Sequence, residues 1–124
     1  MKRVFYNKLV RDEIKYKIEG KGETCEVRVL DDDSEFQQEL LKKVREEANG
    51  LAKARTREEF LAEYADLTIV LDALTKLLEI TEADIKVALE ENIKRKGKYE
   101  KRHFLHWSSD SGYKSNETPQ GIKS

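Results

Sequence analysis

The sequence predicts a mainly α-helical protein: an antiparallel helical bundle that is completed by oligomerisation and preceded by a small N-terminal helix or extended arm. Two observations favour this class. Apolar residues recur at helical spacing over three long segments, and residues that cap helices stand just before each of them. Strand-like alternation is confined to one short stretch near the N-terminus.

The N-terminal region contains a short amphipathic run at residues 14–18, which ends at Gly20 and Gly22. Glycines at such positions are typical of a turn. Residues 24–30 then alternate polar side chains with apolar or β-branched ones. This alternation leaves two structures open, a short β-strand or an extended arm.

The first long helix is predicted to follow an acidic run at residues 31–34, where side-chain oxygens cap free N–H groups and negative charge matches the helix dipole. Apolar residues then recur at helical spacing to about residue 54. These residues are Phe36, Leu40, Val44, Ala48 and Leu51.

The second helix is predicted to begin after Thr56, because Thr56 and Glu59 have the spacing of a capping box, and to reach about residue 79. Residues 67–74 are apolar on nearly every face, which is typical of a helix buried on most sides. A chain of this size has too few helices to cover it. We therefore expect a partner subunit to supply the remaining cover.

A third helix is predicted from the cap pair Thr81 and Asp84, and it loosens at Gly97, within a basic run at residues 94–102. Its apolar residues are expected to face inward; they are Ile85, Ala88, Leu89 and Ile93. After Trp107 the composition becomes polar and rich in serine and glycine. We expect a folded domain over residues 1–107 and a disordered tail over residues 108–124.

Composition narrows the class of protein. The chain has 124 residues, enough for one domain with a modest core, and 24 basic against 25 acidic residues, so it has no basic field for nucleic acid. Its single cysteine, Cys25, excludes an internal disulfide and disfavours a zinc site. No apolar run is long enough for a membrane span or a signal peptide. A cytoplasmic protein is expected.

Acidic residues stand out on two adjacent predicted helices: Glu46 and Glu47 on the first, Glu63 and Asp66 on the second. Residues three apart share a helix face, and a helical hairpin brings the two pairs to one place. Four converging carboxylates need a cation between them, and hard oxygen ligands suit Mg²⁺ or Mn²⁺. The alternative is an ordinary solvated helix face in a chain that is 40% charged.

Four motifs together resemble the MazG-like or phosphoribosyl-ATP pyrophosphohydrolase-like proteins, a family of all-α nucleoside triphosphate pyrophosphatases. In chain order they are the sequence NKLVRD at residues 7–12, Glu46-Glu47, the sequence EYAD at residues 63–66 and the sequence GKYEKR at residues 97–102. The resemblance covers roughly residues 4–105 and implies the helical bundle of that family.

The family signature is EExxE followed, a dozen or more residues later, by ExxD. Glu46 and Glu47 match its first two positions, and Glu63 and Asp66 match ExxD. The third glutamate is replaced by Gly50, a poor helix former. Either water or a neighbour such as Asn49 fills this vacancy, or metal affinity and turnover are reduced.

The resemblance implies a Mg²⁺-dependent hydrolase, with Mn²⁺ as the alternative metal, that converts a nucleoside triphosphate or a phosphoribosyl-ATP-like nucleotide to the monophosphate and pyrophosphate. It implies metal ligation by Glu47, Glu63 and Asp66, and a catalytic Glu46 that orients or deprotonates the attacking water. The implied nucleotide-binding residues are Asn92, Lys94, Arg95, Lys8 and Arg11.

Two alternatives remain open at this point. The N-terminal residues Lys8 and Arg11 either contact phosphate or a neighbouring subunit, or belong to a salt-bridged helix start. The protein itself is either an active pyrophosphohydrolase, forming a homodimer or a higher homo-oligomer, or a helical oligomerisation and regulatory module weakened by Gly50.

Overall fold

The computed structural model describes residues 2–122, and this part of the chain contains four helices and no strand. The helices are α1 (Ile14–Gly20), α2 (Asp33–Ala52), α3 (Arg57–Leu77) and α4 (Glu82–Lys96). The predicted mainly α class is confirmed. Residues 24–30 are neither helical nor paired in a sheet, so the β-strand alternative for this stretch is wrong.

Helices α2 and α3 begin at capping residues that the sequence indicated. Asp32 accepts a hydrogen bond from the backbone N–H of Ser34 at 2.9 Å at the start of α2, and Thr56 Oγ1 accepts one from Glu59 N–H at 3.1 Å at the start of α3. Glu59 reaches back to the N–H of Arg55 at 2.8 Å, one residue earlier than in the usual capping box.

The start of α4 carries a reciprocal cap. Asp84 N–H donates to Thr81 Oγ1 at 3.1 Å, and Thr81 N–H donates to Asp84 Oδ2 at 2.9 Å. These hydrogen bonds lower the pKa of Asp84, the bond from the Thr81 backbone most. The helix ends before Gly97, whose φ of 75° lies in the left-handed region that favours glycine.

Helices α2 and α3 pack against each other as an antiparallel hairpin, because only the short segment 53–56 joins them. Leu40 and Val70 stand at equal distances along the chain from Arg55, and so do Glu47 and Glu63. Antiparallel helices place such positions side by side. Among residues 2–122 the buried ones are Leu40, Val70 and Leu74. Partly buried apolar residues pack against them: Leu9, Phe36, Val44, Ala73 and Leu77.

The buried core is small, and much of the apolar surface faces outward. On α3, Ile69 and Leu71 lie within the segment expected to be covered on every side, yet both are more than 40% exposed. Ile85, Leu89 and Ile93 on α4 are 39–58% exposed. The expectation that these α4 residues face inward stays a prediction.

The chain divides into two compact units, Met1–Val87 and Ala88–Ser124. The first contains α1 to α3 and the start of α4; the second contains the rest of α4 and the C-terminal segment. Within the second unit, residues 108–122 contain no helix or strand and are exposed. No helix among the described residues has the length and apolar character to cross a membrane.

Candidate metal centre

Three carboxylates converge between α2 and α3, toward the end of the hairpin where the two helices are joined. One oxygen each of Glu47, Glu63 and Asp66 lies within 4.8 Å of the other two, and all three residues are partly buried. Glu63 and Asp66 share a face of α3 because they are three residues apart. Glu47 is presented from the facing side of α2.

Gly50 lies on the same side of α2 as Glu47, beside this group. A Cβ atom at position 50 would stand 2.7 Å from Glu63 Oε2 and 3.1 Å from Glu63 Cδ. The space left by the missing side chain is therefore occupied by the carboxylate of Glu63. The sequence had suggested water or Asn49 as the group that fills this place. Asn49 is exposed and lies on a different face of α2, with Lys42, Arg45 and Glu46.

The N-terminal arm, residues 2–12, pairs with acidic residues of both hairpin helices. Lys8 Nζ donates to Glu46 Oε1 at 3.2 Å, and one guanidinium nitrogen of Arg11 donates to Asp66 Oδ1 at 3.1 Å. Asn7 precedes them in a left-handed conformation, φ 46°, which asparagine tolerates better than most residues. The arm is thus held at the candidate site by two ion pairs.

Lys43 is a further cation at the site, and the sequence interpretation missed it. Its ammonium group lies 3.1 Å from Glu46 and 3.6 Å from Glu47. The signal for it was local, because residues three and four apart on a helix face one another. Glu63, in contrast, forms no ion pair with any described residue. The three carboxylates therefore have two neighbouring cations, Lys43 and Arg11, and retain excess negative charge.

Glu46 is not part of the three-carboxylate group. Hydrogen bonds from Lys43 and then from Lys8 lower the pKa of Glu46, so it is a carboxylate at neutral pH. It borders an open depression of about 540 Å³ that is also lined by Lys42, Arg45 and Asn49, all on one face of α2. Glu46 therefore lies beside the cluster, on a surface that is accessible from solvent.

The candidate nucleotide-binding residues on α4 belong to the second compact unit. Asn92, Lys94 and Arg95 lie in the C-terminal half of α4, and all three are exposed. They supply two positive charges and one amide to that helix end. Their relation to the carboxylates stays a prediction.

The chain matches no protein-family model, no curated protein and no solved structure.

Proposed function

We propose that the protein is a Mg²⁺-dependent nucleotide pyrophosphohydrolase of the all-α nucleoside triphosphate pyrophosphatase type, which converts a nucleoside triphosphate, or a phosphoribosyl-ATP-like nucleotide, to the monophosphate and pyrophosphate. The observation that carries the proposal is the convergence of Glu47, Glu63 and Asp66 from two helices. The ordered sequence motifs that resemble the MazG-like proteins support the same function.

The donor set fits a hard divalent cation. Three carboxylates within 4.8 Å of one another offer only oxygen ligands, which Mg²⁺ and Mn²⁺ prefer, and the remaining positions suit water and phosphate oxygens. Glu47, Glu63 and Asp66 would hold the ion. When bound, it would supply positive charge that neutralises the negative charge developing on the phosphates.

Glu46 is proposed to hold the attacking water by accepting a hydrogen bond from it, or to accept its proton. Its exposed position next to Glu47 and its ionised state suit the first role, whereas its lowered pKa makes it a weaker base for the second. Lys43 keeps its carboxylate in place.

Lys8 and Arg11 are proposed to bind phosphate. Their ion pairs are about half exposed, and pairs of that kind contribute at most about 1 kcal/mol to stability. Phosphate oxygens can therefore replace the carboxylates as partners, since guanidinium and ammonium groups bind them well. Asn92, Lys94 and Arg95 are proposed to hold the rest of the nucleotide.

A homodimer or a higher homo-oligomer is part of the proposal. In the single chain, the α3 side chains Phe60, Leu61, Ile69 and Leu71 are 41–50% exposed. A second copy of the chain would cover these side chains and would enclose the carboxylate site, which is open to solvent in one copy. A compact, stable monomer in sedimentation at micromolar concentration would contradict this part of the proposal.

The activity is tested by pyrophosphate release from a panel of canonical and modified nucleoside triphosphates with Mg²⁺ or Mn²⁺. Asp66→Asn should abolish release and weaken metal binding together, because it removes a charge with little change of shape. Glu90→Gln, at an exposed position on α4, is the control and should leave both unchanged. If Asp66→Asn retains wild-type turnover and metal affinity, the acidic residues are a solvated helix face.

A second experiment tests the arm. Arg11→Gln should weaken binding of a non-hydrolysable nucleoside triphosphate analogue about tenfold or more while leaving metal affinity within a few-fold. Arg28→Gln breaks a comparable exposed ion pair, that with Glu35, and is the matched control. If both variants bind the analogue with equal affinity, Arg11 does not contribute to phosphate binding.

The second candidate function is a helical oligomerisation or regulatory module of the same fold with weakened catalysis. Gly50, at the place of an expected glutamate ligand, favours it. An oligomer that binds nucleotide but releases no pyrophosphate from any member of the panel would favour this alternative.

A further inference from the structure

We infer that Gly50 is a positioning residue for Glu63: the absence of a side chain at position 50 leaves the space in which the Glu63 carboxylate reaches Glu47 and Asp66. This inference deepens the proposed function, because it assigns a role at the same site to a residue that otherwise counts as a missing ligand. The placement of the carboxylate itself is independent of whether a metal binds.

The backbone gives no other reason for a glycine here. Gly50 is helical, its φ is not in the left-handed region, and α2 continues to Ala52 with Lys53 as its C-cap. Glycine destabilises a helix by about 1 kcal/mol relative to alanine. What distinguishes position 50 is the neighbour. Of the six glycines in the chain, Gly50 alone would place a Cβ within 4 Å of another group.

The group next to position 50 is the carboxylate of Glu63. The clash of 2.7 Å involves a carboxylate oxygen, so a side chain at position 50 is accommodated by rotating Glu63 rather than by moving the helices. Rotation carries the carboxylate away from the face that Gly50 shares with Glu47. Glu63 also has no ion pair with a described residue to draw it back. The space left at Gly50 is therefore what permits this position of the carboxylate.

Two opposite effects of Gly50→Ala follow. The added methyl group raises helix propensity, so the melting temperature of the metal-free protein should rise by about 2–4 °C. The same group displaces Glu63, so the affinity for Mn²⁺ should fall by about tenfold or more, the size of effect seen when the support of a metal ligand is removed. If Gly50 had only a structural role, its replacement would change the melting temperature without lowering the affinity for Mn²⁺.

The matched control is Gly20→Ala. Gly20 ends α1, has no positive φ, and would place its Cβ in open space, so the chemical change is the same without a neighbour to displace. This variant should keep wild-type metal affinity.

The placement is tested without metal by following the carboxyl carbon signal of Glu63 in NMR spectra of the metal-free protein. Gly50→Ala should shift this signal, whereas Gly20→Ala should not. An unchanged Glu63 signal in Gly50→Ala overturns the inference, whatever the metal results are.

Titration with Mn²⁺ separates this inference from the proposed function. If the wild type binds neither Mn²⁺ nor Mg²⁺ but the Glu63 signal shifts in Gly50→Ala, the proposed metal site is contradicted and the positioning role of Gly50 is supported. If the wild type and Gly50→Ala bind metal equally and the Glu63 signal is unchanged, the metal site is supported and the positioning role is contradicted. Gly50→Glu should not act as a simple gain of a ligand, because its Cβ displaces Glu63.

Discussion

Replacing Glu63 by glutamine should stabilise the metal-free protein and at the same time abolish stabilisation by Mg²⁺. Glu63 is the carboxylate of the cluster without an ion pair among the described residues, and it lies within 4.8 Å of carboxylate oxygens of Glu47 and Asp66. Glutamine keeps the shape of the side chain and removes its charge. The substitution therefore isolates the electrostatic cost of assembling the site.

The magnitude follows from the distances. Two unit charges at 4.8 Å, the upper bound within the cluster, repel each other by about 0.9 kcal/mol in bulk water and by about 3.5 kcal/mol at an effective dielectric constant of about 20. Arg11 and Lys43 offset part of the repulsion from Asp66 and Glu47, and the site is partly exposed to solvent. We expect a net gain of about 1 kcal/mol, or about 4 °C in melting temperature for a chain of this length.

The assay is thermal unfolding with and without Mg²⁺. If the proposed site binds Mg²⁺ in the folded state only, Mg²⁺ at about ten times its dissociation constant should add about 1.4 kcal/mol to the stability of the wild type. For Glu63→Gln this increment should disappear. Glu90→Gln, on the exposed surface of α4, should change neither value. A Glu63→Gln protein that is less stable without metal, or one that keeps the full Mg²⁺ increment, would refute the reasoning.

Three further predictions concern the rest of the chain. Leu40→Ala should lower the free energy of unfolding in urea by about 2–5 kcal/mol, since Leu40 is buried in the core of the hairpin, while Leu41→Ala, at a half-exposed neighbour, should change it by about 0.5 kcal/mol or less. Hydrogen bonds with Thr81 lower the pKa of Asp84, so this residue stabilises the start of α4 above its unfolded-state pKa and loses the contribution as pH falls through its lower folded-state pKa. The protection factors of residues 82–85 against amide exchange, which are corrected for the pH dependence of the intrinsic rate, should therefore fall on acidification below about pH 3.8, and Asp84→Asn should lack this acid-dependent component. Removal of residues 108–124 should leave the melting temperature within a few degrees, and a large drop would mean that the segment contacts the folded part of the protein.

The helices and their starts could be predicted from the sequence because the forces involved are local. Apolar spacing defines a helix over a few turns, and a cap such as Thr56 with Glu59 involves residues three apart. The proximity of Glu47 and Glu63 could be predicted for a related reason. A short connection forces two helices to run antiparallel, and residues at equal distances along the chain from the connection then lie side by side.

The contacts that local patterns do not encode were not predicted. Lys8 and Arg11 are 38 and 55 residues away from the acids they bind, and no spacing rule connects them. The space at Gly50 was interpreted as a vacancy, because the sequence does not show which side chain of another helix fills it. An apolar stripe on α4 indicates a face that needs cover, but not the surface that supplies it.

The hairpin separates its stabilising core from its carboxylates along the helix axes. Leu40 and Glu47 are two turns apart on α2, or about 10 Å at 1.5 Å per residue. Substitutions at that separation, without shared partners, have nearly additive effects on stability. A change at Glu63 or Gly50 therefore alters the charge and shape of the site without opening a cavity at Leu40 and Val70. Loss of metal binding in a variant that unfolds at or above the wild-type temperature is accordingly a property of the site, because the fold that presents the site is intact.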